Sequence, residues 1–121
     1  MKKNSIDKVI GAFKVLNIYD LGFFEFIKSR VSYFPDTDDF CPWACFPVID
    51  NNTLKDIKVI VPFITNEKTL LINIHEFYHA YELYQELGFV YQDNLDIREE
   101  SAKRMEKEYL KIKDNSESWF I

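Results

Sequence analysis

Apolar residues recur every three or four positions near the start of the chain, which is the spacing of one face of an α-helix. The pattern predicts a first helix capped by Ser5 and a second helix from Asp20 to Val31. The apolar face of the first helix consists of Ile6, Val9, Ile10, Phe13 and Leu16. From Tyr33 to Trp43 the pattern becomes irregular, and its proline and aspartate residues indicate loops and turns.

Two short segments rich in apolar and β-branched residues follow, and they predict strands at Ala44–Ile49 and Lys55–Phe63. Turn-forming residues at 50–52 separate them, so we expect a hairpin. Pro62 indicates either an edge position or the end of the second strand, because proline cannot donate a hydrogen bond to a neighbouring strand.

The longest helical pattern begins after Thr65 or Asn66, either of which can cap it, and runs to Leu87. Gly88 occupies the position that often follows a helix. A loop at 89–94 leads to a last, highly charged helix at 95–113. An apolar tail of Trp119, Phe120 and Ile121 is expected to pack onto the body of the protein.

Composition limits the class of protein to which the chain belongs. It has 121 residues, 47% of them hydrophobic, which suits a single globular domain over residues 1–121. The net charge of −5 and the absence of a basic stripe argue against nucleic-acid binding. No apolar run is long enough to cross a membrane, and no signal peptide is evident, so a cytoplasmic location is expected.

The two cysteines, Cys41 and Cys45, lie close together around Pro42. Their spacing differs from the Cys-x-x-Cys pairs of zinc ribbons, and so few cysteines do not indicate a disulfide framework. We expect two partly buried thiols rather than a metal or redox site.

His75, Glu76 and His79 form an H-E-x-x-H motif, and these are the only two histidines of the chain. Residues four apart on a helix lie one above the other, so both imidazoles can bind one metal ion. The glutamate between them can act as general base on a metal-bound water. The motif therefore predicts a zinc (Zn²⁺) hydrolase, although other divalent metals also suit such ligands.

Helical geometry supports this prediction. At a rotation of about 100° per residue, the side chains of the long helix fall on a core face and on a separate second face. His75 and His79 lie on the second face together with Glu82 and Glu86, and Glu76 flanks it. The core face comprises Leu70, Ile74, Phe77, Tyr81 and Tyr84. The alternative is that both histidines are ordinary surface groups of an amphipathic helix.

A zinc site needs a third protein ligand. Glu86 lies too far along the helix, at about 1.5 Å rise per residue, whereas Glu82 remains an alternative. Glu99 borders the apolar side of the last helix and is preferred over Glu100, which points away from it. Glu106 lies on nearly the same side as Glu99 and can orient a ligand. The expected buried side consists of Leu95, Ala102, Met105, Tyr109 and Ile112.

These residues resemble the glutamate-ligand (gluzincin) type of zincin metallopeptidases. The H-E-x-x-H helix is followed after a loop by Glu99-Glu100-Ser101-Ala102, which is similar to the E-x-x-A pattern of small ImmA/IrrE-type metallopeptidases and of compact bacterial and phage zincin-like proteins. The resemblance implies that Glu99 is the third zinc ligand. It also implies that Val59–Pro62 is the edge strand of the cleft, which pairs with extended substrate.

We therefore expect an α+β, minimal zincin-like domain whose helices pack on a small, mostly antiparallel sheet. In the expected peptidase, His75, His79 and Glu99 bind Zn²⁺, Glu76 is the catalytic base and the substrate is a peptide or protein. Tyr91 or Tyr109 can stabilise the oxyanion. The alternative is a non-catalytic zincin fold that acts as an interaction module. The sequence leaves the oligomeric state open.

Overall fold

Four helices pack on a three-stranded sheet in the computed structural model of the chain, which describes residues 2–36 and 43–118. The helices are α1 (Lys2–Val15), α2 (Leu21–Ile27), α3 (Glu67–Tyr84) and α4 (Leu95–Ser118). The strands are β1 (Val31–Phe34), β2 (Ala44–Asp50) and β3 (Thr53–Pro62). This arrangement confirms the predicted α+β class.

The β2–β3 hairpin was predicted, and the structure confirms it. The strands are antiparallel, and Asn51 and Asn52 join them with φ values of 52° and 63°. Two consecutive positive φ angles are typical of a type I′ turn, whose twist matches that of the flanking strands. Asparagine tolerates this conformation better than most residues, so the turn sets the hairpin register.

Strand β1 was not predicted. It pairs in parallel with β3, with Val31 opposite Val59 and Phe34 opposite Pro62, so the sheet is mixed. The expected helix to Val31 was too long, and the expected loop began too early at Tyr33. Four residues of alternating burial give too weak a local signal, and parallel pairing depends on a partner distant in sequence.

The strand order β1-β3-β2 places β3 at the centre of the sheet, so the expectation that Val59–Pro62 forms an edge strand was wrong. Pro62 marks the end of β3 instead. Among the described residues β2 pairs with β3 alone, so β2 has a free edge on its other side, beside α3. The Val59 N–H donates to the Arg30 carbonyl on the β1 side, so its β2 partner Cys45 directs its own backbone groups away from β3.

Helix α3 packs its apolar side against the sheet, as predicted. Ile74 and Phe77 are fully buried, and Leu70, Tyr81 and Tyr84 pack against the core. The core is rich in aromatic rings from α1 and α2, and Phe13, Phe23 and Phe24 contact one another. The same rings contact Tyr81 and Phe77 of α3, so α1 and α2 cover one side of α3, and α4 packs on another.

Asn66 is the N-cap of α3, which settles the choice between Thr65 and Asn66. Its side chain accepts a hydrogen bond from the Thr69 N–H, and the Thr69 hydroxyl accepts one from the Asn66 N–H. This reciprocal pair satisfies donors that the first helical turn cannot satisfy itself. Further along, the buried Asn73 amide donates to the Pro62 carbonyl and so joins α3 to the end of β3.

Ser5 does not cap α1, contrary to the prediction, because the helix begins at Lys2. Ser5 is buried within the helix, and its hydroxyl accepts a hydrogen bond from the Ile64 N–H. The residue joins α1 to the segment that leads into α3. The apolar tail at 119–121 and Cys41 lie outside the described residues. Within the described ranges, no helix is long and apolar enough to span a membrane.

Candidate metal centre

Helices α3 and α4 pack against each other and bring the predicted ligands together. The His75 Nε2 lies 2.7 Å and the His79 Nε2 2.8 Å from the Glu99 Oε1, and the two Nε2 atoms are 3.2 Å apart. His75 and His79 come from adjacent turns of α3, while Glu99 comes from the first turns of α4. Among the described residues, these three form the one group with the geometry of a metal site.

The donor set fits a zinc ion. Ligand atoms bonded to tetrahedral zinc at about 2.0–2.1 Å lie roughly 3.3 Å from one another. The three observed separations are at or somewhat below that value, so small side-chain shifts suffice. Two imidazole nitrogens and one carboxylate oxygen are also the ligand types that zinc accepts in catalytic sites.

The other ring nitrogen of His75 is held by α4. Its Nδ1 lies 2.5 Å from the Glu106 Oε2, two turns along α4 from Glu99. When Nδ1–H donates to that carboxylate, the neutral imidazole presents its lone pair at Nε2, toward Glu99 and His79. Glu106 therefore fixes the tautomer that metal binding requires, as its position on α4 predicted.

The two histidines differ in their protonation. Burial lowers the pKa of His75, but hydrogen bonds to Glu99 and Glu106 outweigh burial and leave the pKa raised. Burial also lowers the pKa of His79, and there the single bond to Glu99 does not compensate. The same bonds lower the pKa of Glu99, although burial opposes them. Without an ion, His75 therefore takes up a second ring proton more readily than His79 does.

Glu76 lies beside this cluster and has a different environment. Burial raises its pKa to about 7, and the charges of Glu99 and Glu106 add to this effect, while His75 and a backbone hydrogen bond from Cys45 oppose it. That hydrogen bond comes from the free edge of β2. A bound cation would lower the pKa of Glu76, because it favours the charged form. Glu76 is therefore anchored between the motif helix and the sheet edge.

A cavity of about 210 Å³ opens between α3, α4 and β2 at this point. Glu76, His79 and Glu99 line it, so the proposed base and two candidate ligands face one space. Its other walls are Trp43, Ala44, Cys45, Pro47, Leu83, Tyr91, Leu95 and Arg98. The size suits a small organic group or one amino-acid side chain beside the metal ligands.

The structure separates Glu99 from Glu100 as the helical phase predicted. Glu100 faces away from the histidines and lines a surface hollow with Lys103, Arg104 and Lys107. Glu82 is half-buried and does not join the ligand group. Tyr91 lines the cavity, whereas Tyr109 does not, which favours Tyr91 of the two expected oxyanion partners.

Arg98 was not anticipated as part of the site. It is only 8% exposed, and its guanidinium donates to the Glu86 carboxylate at 2.9 Å across the α3–α4 connection. No local pattern distinguishes this arginine from the other charged residues of α4. Only the packing of α4 on α3 reveals that it lines the cavity.

The Cys45 thiol lines the cavity but does not join the three candidate ligands. Burial raises its pKa, with a smaller contribution from Glu76 and opposition from Arg98. A buried, protonated thiol is a poor metal ligand and a poor nucleophile, in agreement with the expected structural role. Leu95 departs from expectation, because it is 63% exposed rather than part of the buried side of α4.

Comparison with known proteins identified no relative of this chain. The resemblance to small zincin metallopeptidases therefore depends on the motif and on the glutamate helix alone. No protein-family model, no curated protein and no solved structure matches this chain.

Proposed function

We propose that the protein is a zinc-dependent metallopeptidase of the glutamate-ligand type. The observation that supports this most strongly is the convergence of His75, His79 and Glu99, together with Glu76 on the cavity that His79 and Glu99 line. A structural metal site has no need of a carboxylate at the position of Glu76. In this proposal His75, His79 and Glu99 hold the ion, and Glu106 orients His75.

In this proposal different residues of the chain carry out different steps of peptide hydrolysis. A bound zinc ion would lower the pKa of water and polarise the scissile carbonyl. The Glu76 carboxylate accepts the proton of the attacking water and passes it to the nitrogen of the leaving amine. The Tyr91 side chain, which lines the same cavity, would donate to the carbonyl oxygen as negative charge develops there.

The substrate in this proposal is an extended peptide that lies along β2. The resemblance assigned this position to β3, but β3 is central, and β2 has the free edge next to Glu76. The Cys45 carbonyl is directed away from β3 and is available to a peptide N–H. Because Pro47 has no N–H, the pairing is short, and the cavity rather than the backbone must provide most of the selectivity.

Replacement of Glu76 by glutamine tests the mechanism. Glu76→Gln keeps the ligands, so the purified variant, free of any histidine tag, should retain about one equivalent of zinc. Its kcat/KM on a mixture of fluorogenic peptides should fall by at least about 100-fold, because general base catalysis contributes that much. The matched control is Glu82→Gln on the same helix, which should keep both zinc and activity.

Three results would contradict the proposal. Wild-type protein that takes up no zinc, even when zinc is added, has no metal centre. Equal cleavage by wild type and Glu76→Gln would remove Glu76 from the role of base. Zinc binding without cleavage of any peptide by the wild type would instead favour the non-catalytic interaction module.

A further inference from the structure

Four large apolar side chains near the cavity that Glu76, His79 and Glu99 line are exposed to solvent. They are Phe89, Val90, Leu95 and Ile97, here called the apolar rim, and each is between 61% and 68% exposed. All four lie on the α3–α4 connection or at the start of α4. Isolated exposed apolar residues need no explanation, but a group beside a cleft is typical of a binding surface.

Leu95 connects the apolar rim to this cavity. Leu95 lines the cavity that contains Glu76 and His79, and it also lines an open hollow of about 440 Å³ with Asp93, Asn94, Asp96 and Ile97. A ligand whose side chain enters the cavity would therefore extend over Leu95 and Ile97. Phe89 and Val90 directly precede Tyr91, another lining residue of the cavity.

The backbone beneath the apolar rim is held in place. The Phe89 carbonyl accepts from the Leu54 N–H at 2.9 Å, and the Tyr91 N–H donates to the Asn52 carbonyl at 2.8 Å. These bonds join the connection to the start of β3, so the apolar side chains are presented by a fixed backbone. A surface ordered in advance loses less entropy when it binds a ligand.

The charged residues around the two spaces are mostly acidic. Asp93 and Asp96 line the hollow, and Glu76 and Glu99 line the cavity. Arg98 is the one basic residue that lines either space in the described part of the chain, and it is paired with Glu86. A ligand that covers the apolar rim is therefore favoured when it carries positive charge outside its apolar centre.

We propose that the apolar rim docks an extended peptide segment in which leucine-sized side chains are flanked by lysine or arginine. This inference rests on the proposed function, since it names the substrate class of the same site. One apolar side chain enters the cavity beside the metal ligands, a second covers Leu95 and Ile97, and the basic flanks face Asp93 and Asp96.

Binding can be tested without turnover. The Glu76→Gln protein, with and without zinc, is titrated into three fluorescein-labelled nine-residue peptides while fluorescence anisotropy is recorded. One peptide has two leucines between lysines, the second has the same leucines between glutamates, and the third has serines between lysines. The first should bind about tenfold or more tightly than the serine peptide, since one buried leucine contributes about that factor. It should also bind more tightly than the glutamate-flanked peptide, because Asp93 and Asp96 attract basic flanks and repel acidic ones.

Substitutions locate the site. In the same background, Leu95→Ser and Ile97→Ser should each weaken the lysine–leucine peptide by about tenfold. Leu21→Ser is the matched control, because Leu21 is also the first residue of a helix and is 60% exposed but lines neither space. Asp96→Asn should reduce the salt dependence of binding, whereas Glu108→Gln on the far part of α4 should not.

Each contrary result has a distinct meaning. Equal affinity for lysine- and glutamate-flanked peptides, or equal loss in Leu95→Ser and Leu21→Ser, would overturn the docking proposal. A wild-type homodimer that Leu95→Ser converts to monomers in sedimentation would also overturn it, because a second copy would then occupy the apolar rim. Wild type that binds the lysine–leucine peptide but cleaves nothing contradicts only the peptidase function.

Discussion

His75 contacts carboxylates through both of its ring nitrogens, and both carboxylates come from α4. The Nε2 faces Glu99 and His79, where a metal ion would be held, and the Nδ1 faces Glu106. A ligand histidine gains basicity and a fixed orientation when its second nitrogen donates to a carboxylate. Glu106 would therefore act on a bound metal ion through His75 rather than by direct contact.

Removal of Glu106 should weaken metal binding without abolishing it. Glu106→Ala is expected to lower zinc affinity by about 10–100-fold, as measured by competition with a chelator of known affinity. Glu106→Gln should be intermediate, because the amide oxygen still accepts from Nδ1–H but carries no charge. Glu108→Ala is the control on the same helix. Unchanged affinity in Glu106→Ala would show that His75 does not depend on this contact.

Helical phase correctly predicted on which side of α4 Glu99 lies, but it did not do so for Leu95. The preference for Glu99 over Glu100 followed from the angle between them on α4, and the structure places only Glu99 with the histidines. Phase also assigned Leu95 to the buried side, which was wrong. Leu95 is the first residue of α4, and periodicity carries no information about where along a helix its packing against a neighbour begins.

At the scale of elements, α3 is stabilised at its start by the Asn66–Thr69 capping box. Asn66→Ala removes the acceptor for the Thr69 N–H, so the free energy of unfolding in urea should fall by about 1 kcal/mol. Thr65→Ala replaces an exposed neighbour and should change it by less than about 0.5 kcal/mol. Equal effects of both substitutions would show that the cap contributes nothing specific.

Elements with strong local signals were predictable, and elements that depend on distant partners were not. The β2–β3 hairpin has turn residues between two apolar segments. Helix α3 has an N-cap residue followed by a long stretch of apolar residues at helical spacing. Strand β1 has neither, and it exists because β3 offers a partner along its length. Ser5 looked like a cap by type, but the chain uses its hydroxyl to bond Ile64 in another part of the fold.

At the scale of the whole molecule, a metal ion would join α3 to α4, because its candidate ligands come from both helices. Binding to the folded state alone stabilises it by about 2.7 kcal/mol when zinc is 100 times its Kd. We expect a rise in Tm of roughly 10 °C, measured by circular dichroism. Glu99→Ala should abolish most of this rise, and Glu100→Ala should not. Equal effects of both would contradict Glu99 as the third ligand.

The position of Pro47 in the free edge strand has a consequence for self-association. Another molecule that extended the sheet at β2 would need a regular series of N–H and carbonyl groups. Cys45 gives its N–H to Glu76, Pro47 has none, and the register is irregular between Val48 and Ile49. Such an interrupted edge cannot template a continuous intermolecular ladder, so it disfavours edge-to-edge aggregation on the β2 side of the sheet.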